Sequence, residues 1–404
     1  MAPAAPVLPR AAPRVGAVDG LRGLAVALVV LFHVWQASWL DYTKLLHSPV
    51  DLSFLPAMGF FGVDLFFFLS AFCLTLPYAR HYLCEGDAPT LRHYFGRRAA
   101  KILPSYWFAL LLLLLLRVDS GIPADRLLFH VAAHLLFVHN LFFDTTNSIG
   151  GVMWSLATEV QFYFLLPLLL PVFRRAPLPT VAALVVVALA WRAGSFQRNA
   201  LHPDDVSLVW SDTQLLARLD TFAAGMGAAY LFAAAQGRAW VARAAPAFAA
   251  LAVAGLAALL GLMQFGYVAS RFDMSLTAAY MSLRLPLAVA LLALTLGSCL
   301  APPLFARLVA NPALVFLSGV SYNLYLWHQV IARALLDRHL PPFRTADPHD
   351  DFRWQIAYTA LAWGASIAVA AVLTRLVETP FLRGVPSPWR LLRQLRAKPG
   401  TLPQ

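Results

Sequence analysis

The sequence predicts an all-α, polytopic membrane protein: one bundle of about ten spanning helices around a central cavity. Three observations predict it. The 404 residues are 60% hydrophobic and only 13% charged, about half the charge of a soluble domain. Apolar runs close to bilayer-crossing length recur from one end of the chain to the other. The 31 Lys and Arg residues, against 20 Asp and Glu, fall mostly between those runs and in the C-terminal tail, as topology signals do. That placement excludes a nucleic-acid partner as the reason for the basic balance. Cys73, Cys84 and Cys299 are too scattered for a disulfide framework or a zinc site, and no metal is expected.

In chain order, residues 1–18 are rich in Ala and Pro and lack the apolar core of a signal peptide. They read as a disordered cytoplasmic tail before an uncleaved first helix. The membrane domain is expected over 19–382, with spans near 21–39, 58–77, 104–117, 154–173, 179–193, 218–236, 246–267, 284–300, 313–336 and 354–377. Residues 383–404 form a basic cytoplasmic tail. The stretch 126–143 is apolar but holds His130, His134 and His139. It either makes an eleventh span or lies interfacial or re-entrant. The Lys/Arg bias favours ten spans with both termini inside. Of the three histidines, His130 and His134 share a helical face and His139 does not, which favours an interfacial helix over a metal site.

The first helix reads Asp19-Gly-Leu-Arg22-Gly and carries His33 in its apolar body. Eleven residues are about three turns plus 20°, so Arg22 and His33 project from one face, about 16 Å apart along the axis. An ionisable group at such depth faces protein or water and marks a functional site, although a single histidine hydrogen-bonded inside a bundle is the plain alternative. The segment 78–103 is expected to be the most basic loop and ends Arg97-Arg98-Ala-Ala-Lys101-Ile-Leu-Pro104-Ser-Tyr106-Trp107. It serves either as positive-inside anchoring or as a phosphate-binding mouth. No glycine-rich phosphate loop or dinucleotide fingerprint occurs, so a nucleotide-bearing ligand would be held by side-chain cations.

Further polar groups lie inside apolar runs: Asp64 and Ser70 in the second helix, Trp154, Ser155, Glu159 and Tyr163 in the fourth, Tyr322 and His328 in the ninth. With ten spans and an inside N-terminus, His33, Asp64, Glu159 and His328 fall within about 5 Å of one another in depth. Carboxylates there need polar company. The expected arrangement is one cavity in the outer half of the membrane. His33 is its general base, with Glu159 the favoured partner holding the imidazole tautomer and Asp64 beside it. The distance from Arg22 to His33 matches a pantetheine arm, which permits an acyl-CoA donor without requiring one.

These residues resemble the Arg-x10-His motif of the acyltransferase-3 family of membrane O-acyltransferases. Five further segments match in order: Gly62-Val-Asp64-Leu-Phe-Phe, Arg97-Arg98-x-x-Lys101-Ile-x-Pro104-x-Tyr106-Trp107, Trp154-Ser155-Leu-x-x-Glu159-x-x-Phe162-Tyr163, Ser321-Tyr322-x-Leu-Tyr325-Leu-x-His328 and Glu378-Thr-Pro380. The match covers roughly residues 17–382. The resemblance implies about ten membrane helices and an enzyme that moves an acyl group, often acetyl, from cytoplasmic acyl-CoA to a hydroxyl of a sugar, glycan, lipid or secondary metabolite. It implies His33 as the essential histidine with Arg22 its motif partner. The donor phosphates would rest on Arg22, Arg97, Arg98 and Lys101, and Asp19, Ser70, Trp154, Ser155, Tyr163, Tyr322 and His328 would line the site. Acyl-CoA is then a co-substrate rather than a resident cofactor, and the setting is a bacterial inner membrane.

The chain departs from the family in reading Ser70-Ala71-Phe72 for Ser-Gly-Phe and in ending its Arg-x-x-Arg pattern with Lys101. Lysine keeps the charge and loses the bidentate fork. Many relatives carry an extracytoplasmic hydrolase-like domain after the last helix; none is expected here, so an acceptor would reach the membrane site unaided. The rival reading is a transporter or flippase using the same buried groups, against which stands the lack of an inverted repeat or paired broken helices.

Overall fold

A computed structural model describes residues 16–84, 89–116, 121–201, 208–271 and 276–383. The two tails, expected over 1–18 and 383–404, lie almost wholly outside the described residues. Among the described residues all regular structure is helical. The long helices are α1 (Gly16–Ser38), α2 (Phe61–Cys84), α3 (Leu91–Leu115), α4 (Trp154–Arg175) and α5 (Pro177–Leu201). They continue with α6 (Leu215–Ala235), α7 (Ala239–Ala269), α8 (Leu276–Leu300), α9 (Pro312–Asp337) and α10 (Phe352–Leu373). Among the described residues, eight helices are long and apolar enough to cross a membrane, and the short helix Pro303–Val309 with α9, bent by 49°, makes a ninth if the pair is one span. The 21-residue α6 has spanning length, but Arg218 and Asp220 in its first turns lower its apolarity. The protein is a polytopic helical membrane protein.

One segment follows the reading that the Lys/Arg bias favoured, and one differs from expectation. Residues 126–143 do not span. Their helix, Leu127–Leu135, has nine residues, about 14 Å against the ~30 Å of a hydrocarbon core. The segment after it turns inward on buried polar groups. The rings of His134 and His139 stack at 3.9 Å, and His130 Nδ1 meets Ser148 Oγ at 2.9 Å. Asn140 Nδ2 donates to Thr158 Oγ1 and to the Thr213 carbonyl, each at 3.2 Å, and Gln161 Nε2 donates to Asn140 Oδ1 at 2.6 Å. The basic segment, expected as a loop, is helical over residues 91–103. Thr90 caps α3, its Oγ1 accepting from the His93 backbone N–H at 3.3 Å, so Arg97, Arg98 and Lys101 ride on the first three turns of a helix. Those turns are too polar for an apolar-run reading to include them.

The bundle is built around α1 and α2. Along α2, Val63, Phe67, Ala71, Leu74 and Tyr78 recur at helical spacing and pack into a core with residues of α3, α4, α6, α9 and α10. The opposite face, Phe61, Leu65, Phe68, Phe72 and Leu76, packs into a second core with α7 and α8. A helix apolar all round is buried all round. α1 lies along α9 and is close enough that a Cβ on Gly23 would stand 2.0 Å from the Leu314 carbonyl oxygen. The second glycine of the Arg22 motif is therefore a helix-contact residue of the small-residue kind that membrane bundles favour. Gly23→Val should lower the thermal midpoint of the detergent-solubilised protein and cut its folded yield. Overpacking costs typically about 1–3 kcal/mol, and backbone cannot yield as a side chain does. An unchanged melting curve would show that α1 and α9 are not held this closely.

Candidate active site

The close packing of α1 on α9 sets the first feature of the site: His33 and His328 meet. His328 Nε2 lies 2.9 Å from His33 Nδ1, and His328 Nδ1 lies 3.0 Å from the Leu324 carbonyl. A carbonyl only accepts, so His328 carries its proton on Nδ1 and offers the Nε2 lone pair. His33 Nδ1 then carries a proton, donated to His328 with the Val29 carbonyl also at 3.0 Å. The neutral His33 therefore keeps its lone pair on Nε2. His328 is fully buried and His33 half-buried. An imidazole thus occupies the place expected for Glu159, and it holds the same tautomer a carboxylate would.

Glu159 lies elsewhere because α4 begins deep. Ser155 in its first turn bonds Tyr325 hydroxyl to hydroxyl at 2.6 Å, and Tyr325 is one turn before His328 on α9. One more turn places Glu159 toward the Arg22 end, where its Oε1 accepts from the Tyr163 hydroxyl at 2.6 Å. Arg22 lies within electrostatic reach of Glu159, Tyr163, Cys73 and Asp19, and Ser70 lies beside the Tyr163 hydroxyl. The Arg98 guanidinium stands over the Tyr163 ring at 5.9 Å, its buried Nε without a partner among the described residues. Lys101 is paired with Glu378, stands 5.8 Å over the Tyr322 ring, and shares Glu378 with Asn323, whose Nδ2 donates at 3.1 Å. Glu378 sits in a π-helical turn, Thr374–Glu378, a distortion that re-aims side chains at functional sites. Arg97 faces out, onto a groove of about 700 Å³ shared with Arg92 and His93. Of the four expected donor-binding cations, Arg22 and Arg98 face the interior, Arg97 faces the surface and Lys101 is already neutralised.

Asp64 belongs to a third group that sequence reasoning missed. Arg218 Nη1 donates to Asp64 Oδ1 at 2.9 Å and Arg218 Nη2 to Asp212 Oδ2 at 2.6 Å. Arg284 binds the same two carboxylates, Asp64 at 3.2 Å and Asp212 more tightly. The Tyr280 hydroxyl bridges Asp64 and Arg218. Two arginines and two aspartates thus close a buried ring of zero net charge joining α2, α6, α8 and the short helix Leu208–Asp212. Arg218 and Arg284 escaped notice because each stood at the expected edge of a span, where basic residues read as flanking anchors. The available signal was Asp212 and Asp220 flanking Arg218 beside an apolar run. Against this ring lies a cavity of about 230 Å³ walled by Phe32, Phe60, Trp154 and Tyr280. The expected four-residue group therefore resolves into a histidine pair, a Glu159–Tyr163–Arg22 layer and the Asp64 ring.

The acyltransferase domain profile matches residues 15–375, nearly the whole chain. The chain belongs to the acyltransferase-3 family. It is similar to the peptidoglycan O-acetyltransferase OatA of Listeria monocytogenes, 24% identical over 381 residues, 91% of this chain and 55% of the relative. The putative membrane-bound transacylase BcsY of Komagataeibacter xylinus is 30% identical over 205 residues, 45% of each chain. The O-acetyltransferase OatA of Staphylococcus aureus is 24% identical over 337 residues, 78% of this chain and 50% of the relative. This acyltransferase-3 chain spans about half the length of the curated relatives it matches. No solved structure matches it.

Proposed function

We propose that this protein is a membrane O-acyltransferase that moves an acyl group, acetyl by analogy with the OatA O-acetyltransferases, from acyl-CoA to a hydroxyl of a glycan. The observation that carries this reading is the histidine pair: a neutral imidazole inside the bundle whose free Nε2 is set by its neighbour. In the reaction His33 Nε2 takes the proton of the acceptor hydroxyl while its oxygen attacks the thioester carbonyl. The C–O bond forms, the C–S bond breaks, and the thiolate leaves with the proton held by His33. His328 accepts from His33 Nδ1 throughout and stabilises the transient imidazolium, the part a carboxylate plays in other triads. The donor enters from the Arg22 end, threads its pantetheine arm past Glu159 and Tyr163, and leaves its phosphates near Arg97 and Arg98. The positive-inside bias supports reading that end, and both termini, as cytoplasmic, with a bacterial inner membrane as the setting.

The central test is labelled acetyl-CoA with the full chain in nanodiscs, reading covalent transfer to saccharide and thioester hydrolysis to water. Flux of a solute without either reaction would replace the enzyme reading with the transporter one.

Two residue tests follow. His328→Leu should lower kcat by roughly 10- to 100-fold, the size of a positioning effect on an aligned base, and change the shape of its pH profile. His328→Gln, whose carbonyl still accepts from His33, should recover part of the loss. Equal turnover in the wild type and His328→Leu would remove His328 from the mechanism. Arg98→Glu should weaken acyl-CoA binding and flatten its dependence on salt, because phosphate contacts by cations are screened. Calorimetry with non-hydrolysable acyl-CoA at two ionic strengths reads both, and unchanged affinity would place the phosphates elsewhere.

A further inference from the structure

We infer that the cavity walled by Phe32, Phe60, Trp154 and Tyr280 is the seat of one uncharged pyranose ring of the acceptor. The inference rests on the acyltransferase reading above and adds where, and by what chemistry, the acceptor is held.

Size comes first. At about 230 Å³ the cavity falls below the roughly 300–1,000 Å³ of sites for drug-sized ligands. It takes a single ring and not a lipid tail or an extended chain. Its walls come next. Aromatic faces pack against the C–H faces of a ring, while one polar side fixes its orientation. That side is Asp212 with Arg218. The carboxylate of Asp212 receives one bond on each oxygen, from Arg218 and from Arg284. A carboxylate has about four acceptor positions, so two remain for hydroxyl groups.

Charge decides between ligand classes. Asp64 and Asp212 are matched by Arg218 and Arg284 inside the ring of ion pairs. The polar side therefore carries hydrogen-bonding capacity without net charge. A charged headgroup would find no counter-ion there and would forfeit its hydration; a neutral polyol keeps its hydrogen bonds. Position completes the argument. Phe32 lines the cavity and its ring stands 4.9 Å from the His33 ring. Trp154 lines it from the other side, next in sequence to Ser155, which is bonded to Tyr325 one turn from His328. A ring held there has the histidine pair one side chain away.

The test uses the rim. Val209 lines the cavity, is 51% exposed, and belongs to neither the histidine pair nor the ion ring, so Val209→Trp fills the cavity without removing a member of either. With the full chain in nanodiscs and labelled acetyl-CoA, three rates are read: hydrolysis to water, transfer to a panel of methyl pyranosides, and transfer to 1-octanol, an alcohol without a ring. The expected result is about a tenfold or greater fall in kcat/KM for the pyranosides, carried by KM, with hydrolysis and octanol transfer within twofold of wild type. An unchanged pyranoside kcat/KM in Val209→Trp would overturn the inference, as would wild-type transfer to octanol but to no pyranoside. An equal loss for octanol would mean a common passage rather than a ring site, and would also overturn it. In each of those results the wild type still cleaves acetyl-CoA, so the acyltransferase reading stands. A wild type that neither hydrolyses nor transfers would bring down that reading and this inference together.

Discussion

His33→Ala should abolish acyl transfer and leave a folded, membrane-inserted protein. General acid–base catalysis by one group is worth roughly 10²–10⁴-fold, and no other neutral imidazole among the described residues has its free nitrogen set by a second histidine in this way. The structural cost is bounded. The variant leaves the buried His328 Nε2 without its donor, a penalty of about 1–3 kcal/mol, while Val26, Val29, Val30 and Val34 keep α1 in the core. Turnover is read with labelled acyl-CoA, and folding by size-exclusion profile and thermal midpoint. Near wild-type turnover would remove His33 from catalysis. Loss of both activity and fold would mean that the pair is a packing contact.

Asp64→Ala should be the most destabilising single substitution among the sequence-predicted site residues. It leaves Arg218 and Arg284, 1% and 0% exposed, sharing one carboxylate, and Arg284 Nε already has no partner among the described residues. Removing one member of a buried ion pair costs about 3–5 kcal/mol because the other charge is stranded. Asp64→Ala combined with Arg284→Leu removes one charge of each sign and should recover part of that loss, since the two positions share one network. Thermal midpoints in one detergent measure both. A catalytic Asp64 would instead lower kcat with the midpoint unchanged, so the experiment separates the role expected from the sequence from the one its contacts support.

Helix existence was readable from the sequence because it depends on length and apolarity alone. The ten expected spans each coincide with a long helix, and the even spacing of turns put His33 and His328 at one level, where they touch. Partner choice was not readable, because it depends on rotation about each helix axis and on what the connecting segments do. Glu159 misses His33 because the segment before α4 dips inward on Asn140 and the histidine stack, so α4 starts deeper than its position in the sequence implied. Asp64 turns toward α6 and α8 because two buried arginines there need its charge, and an arginine at a span's edge looks the same in sequence whether it faces headgroups or a carboxylate. Lys101 keeps its place in the motif, yet the π-turn at the end of α10 brings Glu378 onto it.

The sequence by itself thus determined a multi-pass helical chain of the acyltransferase-3 family with a histidine three turns from a motif arginine. Only the tertiary structure decided that the histidine's partner is a second histidine, that Asp64 serves a neutral ion ring, and that an aromatic cavity lies against that ring. Pairings between distant helices are chosen where buried charges find counter-charges, and sequence spacing carries no information on that choice.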